Sequence, residues 1–484
     1  MMSKNNNKFT KIYKQLNPAQ KKAVDEIDGP VMVVAGPGTG KTQVLAARVA
    51  NILTKTDSTP SSILALTFTE SAASNMQKRL VEMIGPTGYQ VRISTFHSYC
   101  QRIISQYPEY FAISHQSQPL TDLEKYQMVT QIISSASLDI LRPLGDPTHY
   151  LYDVIKSISD LKREGIFPDE YSNIIEEEYL DIDAITSKTK RLKQERNQAK
   201  NQELLKLYQA YQKKLLETHR YDFDDMVALV IQAFDQHELL LREQQEELHY
   251  FLVDEYQDTN SAQNQVVMKL AQYWGEKANV FVVGDPQQSI FRFQGASLEN
   301  VTGFVDHFPT AQVITLDRGY RCPQTIYDAA HWLIGHSHQK EADASGNNIL
   351  PNKAVKSKVV GKSPAISLFK APSRQVELMW VMDEINKLIK QKVDPAQIAV
   401  LYRKNMESFE LMELMDAAKV RYEVAGGGNV LQTEPIRQLL ELLKTIHDVR
   451  TDKAHPNLFE VLVYDWSGVD RLAVFKLAKI AGRA

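Results

Sequence analysis

The chain has 484 residues, 43% of them hydrophobic and 24% charged, with a formal net charge of -3. Its length exceeds a single core and predicts two to four domains at ~100–200 residues each, and its composition excludes a disordered, collagen-like or disulfide-scaffold protein. Cys100 and Cys322 alone make neither a disulfide framework nor a zinc site and fit a reducing compartment. With no apolar run of ~18 residues and no apolar core in residues 1–8 to serve as a signal peptide, the expectation is a soluble cytoplasmic protein without a membrane partner. The near-neutral balance is silent on nucleic acid, because a local basic groove can hold phosphates on an otherwise acidic surface.

Asn17 and Pro18 read as the N-cap and first position of a helix. Gln20, one turn inside, offers a donor and an acceptor to a base edge, although a lone glutamine is most often a surface helix residue. Residues 31–34 are an apolar run suited to a buried strand, and 43–50 read as a helix. Between them stand Ala35, Gly36, Pro37, Gly38, Thr39, Gly40, Lys41 and Thr42. The three glycines let backbone N–H groups turn inward onto a polyphosphate at a helix N-terminus. In the GxxxxGK[ST] pattern, here with Ala35 in place of the first glycine, Lys41 reaches the β- and γ-phosphates and Thr42 ligates Mg²⁺. The bland alternative is a turn that only joins strand to helix.

Strand then helix repeats at 63–69 and 70–84, and a third strand at 91–95 closes on a helix start at 96–100, so the sheet is predicted to be parallel. From about 119 to 219 the chain reads as helices rich in Glu, Lys and Gln, a predicted insertion. The basic run at 188–206 is better explained as a solvated helix face than as a dedicated DNA contact. Strands resume at 250–253, 280–283 and 313–316, followed by a predicted helix at 320–333 and a loop-rich stretch at 342–362. A second set follows: a strand at 366–369, a helix at 377–390, a strand at 398–402, a loop at Gly426, Gly427 and Gly428, a helix at 436–449 and a helical tail.

The acidic pair that an ATPase needs at a strand end is supplied by Asp254 and Glu255. Asp254 would hold Mg²⁺ through its water shell, and Glu255 would orient and deprotonate the attacking water. Phosphoryl transfer also needs charge and hydrogen bonds at the γ-phosphate, for which Gln288 and Arg321 are candidates; spacing alone does not select them.

Residues 16–20, the phosphate loop, 66–69, 94–98, 253–260, 284–296, 316–321 and 398–403 resemble, in order, the motifs of UvrD/Rep/PcrA-type superfamily 1 DNA helicases. The resemblance implies an α/β fold of two RecA-like P-loop NTPase domains, parallel sheets flanked by helices, with helical insertions. The first RecA-like domain is expected at 1–115 and 223–315, its insertion at 116–222, the second RecA-like domain at 316–445 and the start of its insertion at 446–484. The implied function is ATP-dependent 3′→5′ movement on single-stranded DNA and unwinding at single/double-strand junctions, with ATP and Mg²⁺ as cofactors and repair or replication proteins as partners. The resemblance further implies that Gln20 reads adenine, Tyr320 stacks on it, Gln257 and Gln288 couple nucleotide to DNA, and Arg321 reaches the γ-phosphate. Phe68, Thr95, His97, Phe291 and Phe293 fall where the family contacts DNA, and aromatic faces do stack on unpaired bases.

Three positions depart from the family: Gln43 and Gln294 stand where relatives place arginine, and Gly319 where they place asparagine. The segments that close the second RecA-like domain are not found, so the chain is expected to be C-terminally incomplete, to bind nucleotide and to hydrolyse it poorly. A competing reading is a DNA-binding nucleotide module with little or no turnover. A small-molecule P-loop ATPase or kinase is disfavoured by Phe68 and the 94–98 motif.

Overall fold

The computed structural model describes residues 2–111, 117–143, 146–179, 187–289, 298–338, 354–361, 365–405, 407–424, 434–450 and 458–481. It divides into two compact units, 1–366 and 367–484. The first is built on six parallel strands: β1 (Val31–Ala35), β2 (Ile63–Thr67), β3 (Arg92–Thr95), β6 (Tyr250–Val253), β7 (Val280–Gly284) and β8 (Gln312–Leu316), in the spatial order β3-β2-β6-β7-β1-β8. Two-residue pairs lie apart from it, β4 (Gln118–Pro119) with β5 (Arg220–Tyr221) and β9 (Arg318–Gly319) with β10 (Lys356–Ser357).

Alternate residues of the four inner strands β2, β6, β7 and β1 enter opposite cores. Met32, Leu64, Leu66, Phe251 and Val282 face one layer, and Val31, Val33, Ile63, Leu252 and Phe281 face the other. A strand apolar on both faces is the signature of a parallel sheet covered by helices on each side, and this is the RecA-like P-loop arrangement expected. Helix α3 (Lys41–Lys55) runs through the second layer with Val44 to Ile52 all buried. Arg48 on this helix is 1% exposed. Its guanidinium donates to the carbonyls of Ala23, Glu26 and Ile27 and lies 4.4 Å from the Phe281 ring centroid, so it ties α3 to α2 (Pro18–Asp25) behind the loop.

Between β4 and β5 the chain leaves the sheet as α6 (Asp122–Ser135), α7 (Leu151–Arg163), α8 (Pro168–Glu178) and α9 (Lys188–Glu217). These helices close their own core around Val129, Leu151, Ile158, Leu207 and Tyr211. The basic N-terminal half of α9 is solvated as expected: Lys188, Lys193, Arg196 and Lys200 are all exposed. Where the insertion meets the sheet, Lys162 is 1% exposed, with Asp225 at 2.6 Å and Asp222 at 3.3 Å. Lys125 pairs with the same Asp222 at 2.7 Å, and Tyr211 donates to it at 3.1 Å. Burial works to raise the Asp222 carboxyl, but Lys162 and Lys125 outweigh it and hold that pKa below the usual carboxylate range.

Three sequence expectations are corrected. The helix expected at 320–333 is α14 (Gln324–His338), preceded by β9. Pro323 sets this limit, because the residue before a proline is pushed out of the helical region and the helix starts after it. In the second unit, 366–369 and 398–402 are not in a ladder, and Leu368 and Leu401 are 97% and 94% exposed. An apolar run signals a strand, but only a neighbour of matching register makes it one, and the described residues supply none. The helices of this unit did form: α15 (Arg374–Lys390), capped by Ser373, packs on α16 (Glu407–Ala417) through Leu378, Met382, Ile385 and Leu411. The 436–449 helix is observed as Glu434–Arg450. Gly426, Gly427 and Gly428 lie outside the described residues.

Candidate functional site

The phosphate loop joins the C-terminal end of β1 to α3, at the carboxyl edge where parallel sheets bind ligands. Gly38 and Gly40 have φ of +67° and +90°, the left-handed conformation that glycine adopts without cost. Gly40 is the N-cap of α3 and brings no side-chain acceptor, so the first-turn N–H groups stay uncapped toward the loop. Thr39 is fully buried and its hydroxyl donates to Gly36 O at 2.7 Å, which fixes the loop's curl. Gln20 supports it from α2: Nε2 donates to Thr39 O at 2.9 Å, and Oε1 accepts the Asn17 N–H at 3.0 Å. These bonds leave the amide one N–H and one lone pair, the complement that an adenine edge requires.

Across from the loop, Asp254 and Glu255 follow β6. The Lys41 ammonium meets Glu255 Oε2 at 2.5 Å, and Gln257 Nε2 donates to the same oxygen at 2.9 Å. Gln257 Oε1 in turn accepts the Asp285 N–H at 2.8 Å, and Asp285 Oδ2 accepts from Gln288 Nε2 at 2.7 Å. A continuous hydrogen-bonded chain thus runs from Lys41 to the segment that follows β7. Asp254 is 3% exposed; burial, then the neighbouring Glu255 charge, push its carboxyl up to about 7. Asp258 is raised to about 6 by the same two causes.

Asp254, Glu255, Thr42, Gln43 and Arg321 line one cavity of about 610 Å³. Arg79 of α4 (Glu70–Ile84) shares it and donates to Gln43 Oε1 at 3.0 Å. Tyr320, beside Arg321, donates its N–H to Gly38 O at 2.8 Å. The Tyr320 hydroxyl accepts from Asn17 Nδ2 at 3.0 Å while the side chain stays 47% exposed. Tyr327, 4% exposed, presses into the space beside two glycines: a Cβ on Gly319 would meet its Oη at 2.3 Å, and one on Gly38 at 2.7 Å. Sequence reasoning passed over Tyr327, and the glycine at 319 was its only signal.

The donor set fits a magnesium ion. Thr42 and Asp254 offer hard oxygen donors in one cavity, and Asp254 Oδ1 accepts the Glu255 N–H at 3.0 Å. Among the described residues no cluster of three or more His, Cys, Asp or Glu could hold a metal.

The other predicted residues gather at the ends of β2 and β3. Phe68 follows β2 and is half-buried. Thr95 ends β3 and caps α5 (Phe96–Gln106), accepting the Ser98 N–H at 3.2 Å and donating to Glu70 Oε1 at 2.8 Å. His97 stacks on Phe223 with ring centroids 3.9 Å apart and planes 16° apart. Burial lowers its imidazole to about 4, so it is neutral at physiological pH. Phe223, 54% exposed, was not foreseen; an aromatic among four acidic or aromatic neighbours at 221–225 was the only hint. Phe291 and Phe293 lie outside the described residues, as does Gln294.

The family model for the UvrD/REP helicase N-terminal domain matches residues 16–309, and that for the UvrD-like helicase C-terminal domain matches 314–465. The chain is 31% identical over 470 residues to the ATP-dependent DNA helicase PcrA of Bacillus subtilis (strain 168), covering 96% of this chain and 57% of the relative. It is 29% identical to the Staphylococcus epidermidis PcrA over 91% of this chain and 55% of the relative, and 28% identical to the Leuconostoc citreum PcrA over 97% and 57%. The chain thus spans little more than half the length of these relatives.

Proposed function

The chain belongs to the UvrD/REP helicase family, and from that premise we propose that it serves an ATP-dependent 3′→5′ DNA helicase, coupling ATP hydrolysis to movement on single-stranded DNA and unwinding at strand junctions. The observation that carries this is the convergence of Thr42, Asp254, Glu255 and Arg321 on one cavity, with Lys41 paired to Glu255 beside it. In this reading the loop N–H groups and Lys41 hold the triphosphate, Tyr320 stacks on the base, and Gln20 reads its edge. Thr42 and Asp254 would hold magnesium, which would supply charge neutralisation to the triphosphate. Glu255 orients a water and takes its proton as the oxygen attacks the γ-phosphorus, while Arg321 offsets the charge developing on the departing phosphoryl group. ADP and phosphate result. For this, Lys41 exchanges Glu255 for phosphate oxygens, which frees the base.

Phe68, Thr95 and His97 would contact single-stranded DNA, and the relay through Gln257, Asp285 and Gln288 would carry nucleotide state toward that strand. Phe291 and Phe293 join this proposal by resemblance alone. The domain layout proposed is a RecA-like domain at 1–115 and 223–315 with its insertion at 116–222, then a second at 316–445. A cytoplasmic location and repair or replication partners belong to the same proposal.

The test is the steady-state ATPase rate with and without oligo(dT). Turnover should rise on adding the single strand, and Lys41→Ala should abolish it. A chain that binds both ligands with no stimulated turnover would instead be a nucleotide-binding DNA module.

A further inference from the structure

We infer that Asn17 is a positioning residue for the nucleotide base, acting through Tyr320; this rests on the reading of Tyr320 as a stacking platform. Asn17 is 9% exposed and its side chain serves two elements. Oδ1 accepts the Gln20 N–H at 2.9 Å and so caps α2. Nδ2 donates to Tyr320 Oη at 3.0 Å, across 303 residues of sequence. The backbone end of Tyr320 is tied separately, by its N–H to Gly38 O at 2.8 Å.

The tyrosine is therefore held at both ends while its side chain remains 47% exposed. A buried structural tyrosine hides its ring and satisfies its hydroxyl; this one satisfies the hydroxyl and leaves ring surface open beside the phosphate loop. A ring so tethered has little rotamer freedom left to lose when a base stacks on it, which is how preorganisation raises affinity. Capping α2 does not by itself account for asparagine, since serine caps a helix about as well. Serine, however, ends at its hydroxyl, too short to reach Tyr320 and still cap. Asn17 also joins Tyr320 to Gln20, so one residue orients both groups assigned to the base.

The test compares equilibrium binding of ADP with that of inorganic tripolyphosphate, which has no base, for wild type, Asn17→Ser, Tyr320→Phe, the double variant and Tyr320→Ala. Asn17→Ser should weaken ADP by about three- to tenfold, the range of one lost hydrogen bond, and leave tripolyphosphate unchanged. Tyr320→Phe should do the same, and the double variant should be no worse than either. ADP binding unchanged in Asn17→Ser, parallel loss of tripolyphosphate, or additive losses in the double variant would each overturn the inference. If Tyr320→Ala leaves ADP binding intact, the platform reading itself falls. If only Tyr320→Ala weakens ADP, the platform stands and the role of Asn17 does not.

Discussion

Glu255 carries two burdens that the general-base role proposed for it would account for. Its backbone is left-handed, φ 47° and ψ 47°, which costs a non-glycine residue roughly 1–2 kcal/mol, and its carboxylate is shared by Lys41 and Gln257. Such strain at a strand end is kept where it aims a functional group. Glu255→Gln should lower ATP turnover by about 10²–10⁴-fold, the usual worth of a general base, while nucleotide affinity holds or rises because Lys41 loses its competing anion; single-turnover rates and equilibrium binding separate the two effects. His97 gives a pH prediction of defined sign. Its folded pKa is lowered from 6.5 to about 4, so folding favours the neutral ring. The contribution is complete above about pH 6.5 and is lost as pH falls from there toward 4, up to about 1–3 kcal/mol. Urea midpoints at pH 7 and pH 5 should drop further for wild type than for His97→Phe. Lys41, Asp254 and Glu255 were legible in sequence because their chemistry demands a motif. Asn17 was legible as a helix cap, but its reach to Tyr320 was not, nor were the contacts of Phe223 with His97 and of Tyr327 with Gly38, because each joins residues far apart in the chain.

At the scale of elements, the inner strands β1, β2, β6 and β7 were readable because parallel strands buried on both faces are near-continuous apolar runs. The start of α14 was misread because helical periodicity overran Pro323, and 366–369 and 398–402 were misread because a ladder needs a partner that periodicity cannot specify. The joint between insertion and sheet was invisible for a different reason: a lysine in a polar helix reads as solvated until its carboxylates fold over it. Lys162→Met should destabilise the protein by about 3–5 kcal/mol, since it leaves Asp225 buried without its cation while Asp222 keeps only Lys125. Adding Asp225→Asn to that variant should recover part of the loss in urea unfolding. Gly319→Ala should also destabilise, because the new Cβ would overlap the Tyr327 phenol at 2.3 Å and the ring is packed too tightly to yield.

For the molecule as a whole, the sheet brings two groups of candidate residues to one edge. The phosphate loop follows β1 and the acidic pair follows β6, while Phe68 and Thr95 stand at the ends of β2 and β3 on the far side of β6. A ligand at one group of strands is therefore only a few strands from the other. Single-strand affinity should fall linearly in log–log form with salt, by about 0.7 per phosphate neutralised, and Phe68→Ala should weaken it by about 1–3 kcal/mol without changing that slope, because stacking is not ionic. The nucleotide cleft is the claim on which the rest depends. Its direct test is magnesium-dependent binding of a fluorescent adenine nucleotide to wild type, Lys41→Ala and Glu255→Gln. Wild type should bind, Lys41→Ala should lose at least about tenfold in affinity, as expected for a lost charge-assisted contact, and Glu255→Gln should bind as tightly as wild type or tighter. Unchanged affinity in Lys41→Ala would contradict the account.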